Sequence, residues 1–288
     1  MNEDKSIPRI PRLAAPKAEQ RADRSFSLIR VAAMIRRYLY LLQSGWIRII
    51  ELAYWPIMQM ILWGFMTEFL LNSSSGILRA GGVLIAAVLL WDVLFRGNIG
   101  VAVSFLEEMW SRNLAQLCAS PLRTHEWAAA LIIISLLRTL IGVLPAALLA
   151  IPLYQFSIFE MGFTLLAFFS NLLIFGAAVG LSVSALVLRY GLGAESLAWV
   201  GIFLIAPISG IYYPISTLPD WLQFLAYALP SSHVFEGMRI ALAESRFDLG
   251  HFYNALMLNA VFLAAGFFIF LGTFRIARRQ GLLLQIGE

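Results

Sequence analysis

The sequence predicts an all-α polytopic membrane protein, and three observations support that fold class. Hydrophobic residues make up 60% of the 288-residue chain and charged residues only 13%, with a mean hydropathy of +0.79. Soluble proteins carry about twice that share of charge, so the apolar excess is expected to face lipid. Six apolar stretches are long enough to cross a bilayer, and basic residues gather on alternate connections between them.

Six transmembrane helices are predicted, because about 20 apolar residues in a helix cross the hydrocarbon core. The predicted spans cover residues 49–71, 82–104, 128–153, 163–188, 196–213 and 253–274. Together they define a transmembrane domain over 49–274. Residues 1–24 are polar, contain prolines and show no secretory signal, which predicts a disordered cytoplasmic tail, and residues 275–288 are predicted as a cytoplasmic C-terminal tail.

The distribution of Lys and Arg predicts the orientation of the chain. With the N-terminus inside, sixteen of the 21 basic residues fall on cytoplasmic segments, and three, Arg79, Arg239 and Arg246, fall on outer ones. Cytoplasmic loops of membrane proteins carry such an excess, so both termini are predicted on the cytoplasmic side of a bacterial inner membrane. Ten basic residues precede residue 49, which is typical of a segment beside a lipid surface and argues against a nucleic-acid partner.

Residues 25–48 predict an interfacial amphipathic helix rather than a span, because four arginines interrupt them. At 3.6 residues per turn, one side of this helix is apolar and the opposite side is polar. The apolar side carries Leu28, Val31, Ile35, Leu39, Leu42 and Trp46, and the polar side carries Arg30, Arg37, Ser44 and Arg48. The alternative is a soluble helix packed on another domain.

Prolines divide the connection between the fifth and sixth predicted spans. Pro214 and Pro219 precede the ten residues DWLQFLAYAL, about half the length of a span, and Pro230 ends them. Ser231 and Ser232 are suited to cap a second short helix. The pattern predicts outer re-entrant half-helices between spans five and six.

The sequence contains no common catalytic or nucleotide-binding motif. H-E-x-x-H, G-x-S-x-G, C-x-x-C and the P-loop are absent, and the only lysines are Lys5 and Lys17. A single cysteine, Cys118, excludes an internal disulfide, and the three histidines are too scattered for a local metal motif. We therefore expect a chain that is not an enzyme and binds no cofactor itself.

Three ionisable residues within predicted spans are functional candidates, because charge inside a membrane is costly. Asp92 and Arg96 stand at i, i+4 in the second span, and Arg138 lies near mid-depth in the third, where it could share Asp92. Two interpretations stay open: a charged lining or gate, and an ion pair that locks neighbouring helices. Gly176 and Gly180, a small-xxx-small pair in the fourth span, are interpreted as a packing face.

The loop between spans two and three, FLEEMWSRNLAQLCASPLRTHEWAAAL, is longer than a simple connection between antiparallel helices requires. It is amphipathic, with acidic residues before a short apolar helix and a Ser-Pro break after it. One interpretation is a surface helix. The other is a docking helix that receives force from a soluble partner.

This loop resembles the coupling helix of the ABC type-2 exporter permease family, the membrane subunit of ATP-binding cassette exporters. The residues that carry this likeness are Glu107, Glu108, Arg112, Leu114, Leu117, Ser120, Pro121 and Arg123. A second likeness lies in the outer segment, at Pro214, Pro219, Trp221, Pro230, Glu236 and Arg239. The chain departs from the family at Arg112-Asn113, where many members carry Gly-Thr.

The resemblance implies a permease that works as a homodimer or pseudo-dimer and binds separate ABC ATPase subunits from the cytoplasm. ATP and Mg would then be held by the partner subunits, and a cytoplasmic coupling helix within residues 107–127 would pass their closure to the spans. Family members export drugs, polysaccharides, glycolipids and other amphiphiles, and the sequence names none of these as cargo.

Two other classes of function remain as alternatives. An ion-coupled secondary transporter would use Asp92, Arg96 and Arg138, although the chain shows no inverted repeat. An intramembrane enzyme would use His233 or His251 with Ser231, Ser232 or Asp248, a constellation that requires a specific geometry.

Overall fold

The computed structural model describes residues 26–73 and 80–280, and within these ranges every regular element is a helix. The all-α fold class is confirmed. The α-helices are α1 Leu28–Gln43, α2 Trp46–Ser73, α3 Ala80–Trp110, α4 Leu114–Ala119, α5 Thr124–Tyr154, α6 Phe163–Tyr190, α7 Leu197–Ile205, α8 Asp220–Tyr227, α9 Pro230–Glu244 and α10 Leu249–Gln280. The tail predicted over 1–24 and the final residues 281–288 lie outside the described residues.

Within the described ranges, five helices are long and apolar enough to cross a membrane: α2, α3, α5, α6 and α10. These helices correspond to five of the six predicted spans. The chain is therefore a multi-pass membrane protein. The helices exceed the predicted spans at their charged ends, since hydropathy marks only the apolar part of a helix. The last one continues through Gln280, so residues 275–280 of the predicted tail are helical.

The fifth predicted span, 196–213, is wrong as a single spanning helix. Helix α7 covers nine residues and passes into a 3-10 turn at Ala206–Ile208, and Gly210 then adopts a left-handed φ of 67°. Pro207 explains the break, because proline lacks the N–H that a continuing α-helix uses. The whole apolar segment, Leu192–Ile208, is shorter than the five spanning helices.

Helices α3 and α6 form the centre of the bundle, and small residues bring them into close contact. A Cβ built on Gly176 would lie 2.5 Å from the carbonyl oxygen of Leu94 and 3.0 Å from the Cα of Gly97. A Cβ on Gly180 would lie 2.7 Å from the carbonyl oxygen of Asn98. The packing role predicted for Gly176 and Gly180 is confirmed.

One end of the bundle carries α1, the α3–α4–α5 connection and the C-terminal end of α10, and we call it the basic end. Rings from α3, α5 and α10 meet there: Trp127 stacks on Phe105 at 5.3 Å and contacts Phe274 edge-on at 5.7 Å. Arg275 and Arg278 extend from the last turns of α10 at the same end.

Helix α1 is amphipathic, but its faces differ from the prediction. Its buried residues are Val31, Met34, Tyr38 and Leu42, whereas Leu28, expected on the apolar side, is 74% exposed. Arg30 and Arg37, expected on the polar side, form ion pairs with acidic side chains of the bundle. The chain breaks at Ser44 and Gly45, and Trp46 already belongs to α2.

The two short helices predicted before the last span are present as α8 and α9. Pro230 does not end the first of them. It occupies the first position of α9, where the missing N–H costs nothing. Ser231 and Ser232 are buried inside α9 rather than capping it, and α9 continues to Glu244.

Candidate functional site

The α3–α4–α5 connection, residues 107–127, is the segment that the sequence singled out, and we call it the connecting segment. Arg112 adopts a left-handed φ of 53° and reverses the chain after α3. A left-handed backbone favours glycine. Arg112 therefore occupies a position at which the Gly-Thr pattern of the family that this loop resembles would place a glycine. After α4, Ser120 is extended, and its hydroxyl donates to the Leu117 carbonyl at 2.7 Å before Pro121.

Helix α4 has one buried face and one exposed face. Leu114 and Leu117 are 2% and 8% exposed and belong to the same apolar cluster as Phe105 and Trp127. Gln116 and Ala119 are exposed on the other side. The helix is therefore anchored to the spans by its apolar face and leaves a small, uncharged surface open.

Glu126, in the first turn of α5, joins the connecting segment to α1. Its carboxylate is fully buried and accepts four hydrogen bonds. The Arg30 side chain donates twice, at 2.7 and 2.8 Å, and the backbone N–H groups of Ser27 and Arg123 donate at 2.8 and 3.1 Å. Each carboxylate oxygen accepts two of these hydrogen bonds, which is the usual number for an ionised carboxylate. The buried Glu126 side chain therefore has all of its hydrogen-bond partners.

Three further ion pairs connect the end of α3 to the bundle. Arg37 of α1 donates to the Glu108 carboxylate at 2.8 Å, and the Asn113 amide donates to the same oxygen at 2.9 Å. Arg138 of α5 pairs with Glu107 at 2.9 Å, and Arg48 lies 3.8 Å from it. Three acidic side chains of the connecting segment thus connect it to α1, α2 and α5.

Tyr38 and Trp127 reinforce this connection from the interior. The Trp127 indole N–H donates to the Tyr38 hydroxyl at 2.9 Å, and both side chains are buried. Burial, together with the negative charge of Glu108, raises the pKa of the Tyr38 hydroxyl above its usual value. The hydrogen bond between these two side chains joins α1 to α5 within the apolar cluster.

These contacts change the interpretation of the predicted coupling residues. Glu108 is 1% exposed and Glu107 is paired within the chain, so the structure turns both acids inward and not toward a partner surface. Sequence reasoning missed Arg37 as the partner of Glu108, and likewise Arg30 as the partner of Glu126. The available signal was the seven-residue spacing of these arginines, which puts both on one face of a helix.

The intramembrane charges are not arranged as predicted. Arg138 pairs with Glu107 rather than sharing Asp92. The reason is the direction of side chains in a helix, which point toward the N-terminus, and α5 begins at the basic end. Asp92 and Arg96 are buried, and Asp92 Oδ2 and Arg96 Nε have no hydrogen-bond partner within the described residues.

Glycine makes room for the Arg96 guanidinium. A Cβ on Gly142 of α5 would lie 2.7 Å from the central carbon of that group and 2.8 Å from the Leu52 carbonyl oxygen of α2. Arg96 therefore lies where α2, α3 and α5 meet. This position fits either interpretation of the pair, a lining charge or a contact that fixes three helices.

Glu236 and Arg239 of α9 hold the turn that follows α7. Arg239 donates to the carbonyl oxygens of Gly210, Ile211 and Tyr213, the last two at 3.1 and 2.9 Å. Glu236 accepts from the Ile215 N–H at 2.7 Å and pairs with Arg239 at 3.2 Å. These backbone groups have no hydrogen-bond partners within a helix, because the chain turns here. The side chains of Glu236 and Arg239 on α9 supply the missing hydrogen bonds.

The prolines of this region bound its short elements, and Trp221 projects outward. Pro214 precedes the 3-10 turn Ile215–Thr217, and Pro219 precedes α8. Trp221 is 69% exposed. The signal that identified this segment from sequence was proline spacing, which marks element ends but says nothing about the bonds to Arg239.

The residues considered for an intramembrane enzyme do not form a nucleophile–base pair. Ser231 shares a hydrogen bond of 2.8 Å with Ser209, and the Ser232 hydroxyl donates to a backbone carbonyl. His233 lies 3.2 Å from His251 between their Nδ1 atoms and 3.0 Å from the Tyr227 carbonyl oxygen. The two histidines bridge α8, α9 and α10 instead of activating a serine.

Comparison with known families identifies a transporter family. The family model described as ABC-2 type transporter matches residues 36–243, which include the second half of α1, the whole connecting segment, α7, α8 and nearly all of α9. No curated protein matches the chain. The match covers well over half of the sequence and agrees with a bundle of apolar helices long enough to span a membrane.

Proposed function

Because the chain belongs to the ABC-2 type transporter family, we propose that it is the membrane-spanning permease subunit of an ATP-driven exporter. The observation that carries this proposal is the connecting segment, where a short helix with an open face is fixed to the spans by three ion-paired acids. A separate ABC ATPase subunit docks on that open face and holds ATP and Mg. The permease itself contributes no catalytic residue.

The ion pairs supply a physical route for the mechanical step. Closure of the ATPase subunits displaces α4, and Leu114 and Leu117 pass the displacement to the apolar cluster around Trp127. Glu108 and Glu126 move α1 through Arg37 and Arg30, and Glu107 moves α5 through Arg138. Packed elements of this kind move as bodies between discrete arrangements, which is what alternating access requires.

The proposed orientation has both termini and the basic end in the cytoplasm of a bacterial cell. The sixteen-to-three distribution of basic residues supports it. Both termini lie on the same side only if the chain crosses the membrane an even number of times. The described residues contain five long helices, so the segment 192–213 and its continuation complete the sixth passage. Helices α8 and α9 then lie toward the outer side as the re-entrant pair.

The proposed assembly is a dimer of permeases, as a homodimer or with a similar chain. The apolar faces of α2 and α7 support it: α2 is mostly exposed along its span, and Trp199, Phe203 and Leu204 of α7 are 46%, 55% and 69% exposed. The cargo is an amphiphilic molecule, a lipid-linked molecule, a polysaccharide or a drug-like compound, exported outward across the inner membrane.

An ion-coupled carrier is retained as a second candidate on one observation, the buried Asp92 carboxylate with an oxygen that lacks a partner within the described residues. Such a group is suited to bind and release a proton. Arg138 contributes nothing to it, because it pairs with Glu107 at the basic end.

The test of the proposed function co-expresses the permease with a cognate ABC ATPase subunit, which is sought first among the genes that neighbour its own. The permease purified alone is expected to hydrolyse no ATP, and the complex is expected to hydrolyse ATP and drive transport in proteoliposomes. Transport that persists without ATP and collapses with the proton gradient would replace the proposal with the ion-coupled carrier.

A further inference from the structure

A cavity of about 220 Å³ opens at the basic end between α4, the start of α5 and the end of α10. Leu117, Leu271 and Phe274 contribute apolar lining, and Arg123, Arg275 and Arg278 contribute positive charge. No acidic side chain of the described part of the chain lines it. A cavity with apolar and cationic walls favours a ligand that is both apolar and anionic.

Helix α10 presents these two properties in a fixed order. Leu271, Phe274, Arg275 and Arg278 stand at i, i+3, i+4 and i+7, so they form one stripe along the helix. Toward the C-terminus the stripe changes from two apolar residues to two exposed arginines. A phospholipid at a membrane surface has the same order, acyl carbons first and phosphate outermost.

The opposite wall repeats this order. Leu117 and Leu122 lie beside Arg123 and His125, where the chain passes from α4 into α5. Arginine is the side chain best suited to phosphate, because its planar guanidinium donates several hydrogen bonds in a fixed geometry. Basic pockets between transmembrane helices at the membrane surface bind anionic lipid headgroups by this chemistry.

We propose that this cavity binds the headgroup and glycerol region of an anionic phospholipid from the adjacent leaflet. The cavity is smaller than the roughly 300 Å³ of a pocket that encloses a drug-sized ligand, so the acyl chains remain in the bilayer. This site is separate from the open face of α4, and the proposal does not depend on the transport cycle. An acidic side chain of a docked ATPase subunit is the competing occupant.

The single cysteine of the chain is a built-in probe, because Cys118 lines the cavity. Burial raises the pKa of the Cys118 thiol, so labelling is best measured at mildly alkaline pH. We expect dioleoylphosphatidylglycerol, added to the full-length chain in detergent, to slow maleimide labelling of Cys118. Dioleoylphosphatidylcholine should not. In a C118S/S111C control, labelling at exposed position 111 should be unaffected by either lipid.

The arginines are tested with a charge-matched pair of variants. R275Q/R278Q should weaken protection by phosphatidylglycerol roughly thirtyfold, since each of the two arginines near an anionic headgroup contributes about 1 kcal/mol and about 1.4 kcal/mol is tenfold. The control R36Q/R279Q also removes two positive charges at the basic end, but from exposed residues outside the cavity. Phosphatidylglycerol should still protect Cys118 in this variant. Equal loss in both variants would mean a general charge effect and would overturn the proposal.

A second measurement covers the case in which R275Q/R278Q does not fold. Leu122→Trp fills the cavity without changing charge. Native mass spectrometry should show bound phosphatidylglycerol on the unmodified chain and none on this variant. Equal protection by both lipids would overturn the proposal. So would protection of Cys118 by the ATPase subunit but not by phosphatidylglycerol, which would assign the cavity to the partner.

Discussion

Arg112 shows how a single backbone angle shapes the connecting segment. Its φ of 53° lies in the left-handed region, which costs a residue with a Cβ about 1 kcal/mol more than glycine. The turn returns the chain from α3 to α4 while the Asn113 N–H bonds to the Glu108 carbonyl at 3.0 Å. The sequence revealed the departure from the family's Gly-Thr pattern, but only the backbone shows why glycine suits this position.

A comparison of Arg112→Gly with Arg112→Ala tests this explanation. Both variants lose the arginine side chain and its contacts, so their difference reports the backbone alone. The glycine variant should be more stable by about 1 kcal/mol, measured by SDS titration of the folded chain in detergent micelles. An alanine variant of equal or greater stability would show that the turn does not strain a residue with a Cβ.

Glu126 is the most completely bonded of the three acids, and its loss should be the most costly. Glu126→Gln removes the charge that faces the Arg30 guanidinium in a buried site. The free energy of unfolding should fall by about 3 kcal/mol, as for other buried ion pairs that lose one partner. Glu160→Gln, at an exposed position, is the matched control and should change little. Equal stability of the two variants would mean that the Arg30–Glu126 pair does not hold α1.

At the scale of elements, the bundle depends on how closely α3 and α6 approach each other. Small residues at a four-residue spacing predicted this contact, and the structure has it at Gly176 and Gly180. Other element-level features were not predictable from local pattern. The faces of α1 depend on acids 71 and 96 residues away in sequence, and the turn that follows α7 depends on hydrogen bonds that α9 supplies.

Gly176→Ala should destabilise the α3–α6 contact by about 2 kcal/mol, because the added methyl meets backbone atoms that cannot move alone. Gly272→Ala in α10 is the control, since a methyl added there would have no neighbouring atom within 4 Å. That variant should be neutral or slightly more stable, as alanine favours helix. Thermal stability in detergent, followed by gel filtration, distinguishes them, and a stable Gly176→Ala variant would refute the close contact.

At the scale of the whole molecule, the chain is a member of the ABC-2 type transporter family with a basic end built from α1, α4 and the end of α10. Hydropathy predicted the class and five spanning helices, because lipid exposure leaves a strong mark on composition. It also predicted a full spanning helix after α6, where the structure has the short helix α7. An apolar segment has the same hydropathy whether it forms one continuous helix or breaks at Pro207. The ion pairs of the connecting segment were also beyond sequence reasoning, because an acid in a loop is ordinarily a solvated charge.

The proposed function places the docking of an ATPase subunit on the open face of α4, and Ala119 lies on that face. Ala119→Trp places a bulky side chain there without touching the buried Leu114 and Leu117. Gln43→Trp, exposed at the end of α1, is the control at the same end of the bundle.

The decisive measurement is co-purification of each variant with the co-expressed ATPase subunit, followed by the ATPase activity of the complex. Ala119→Trp is expected to fold as the unmodified chain does, to lose at least about tenfold in partner binding, as for a central interface position, and to abolish stimulated ATP hydrolysis. Gln43→Trp is expected to keep both. An Ala119→Trp permease that binds and stimulates the ATPase normally would contradict the role assigned to α4.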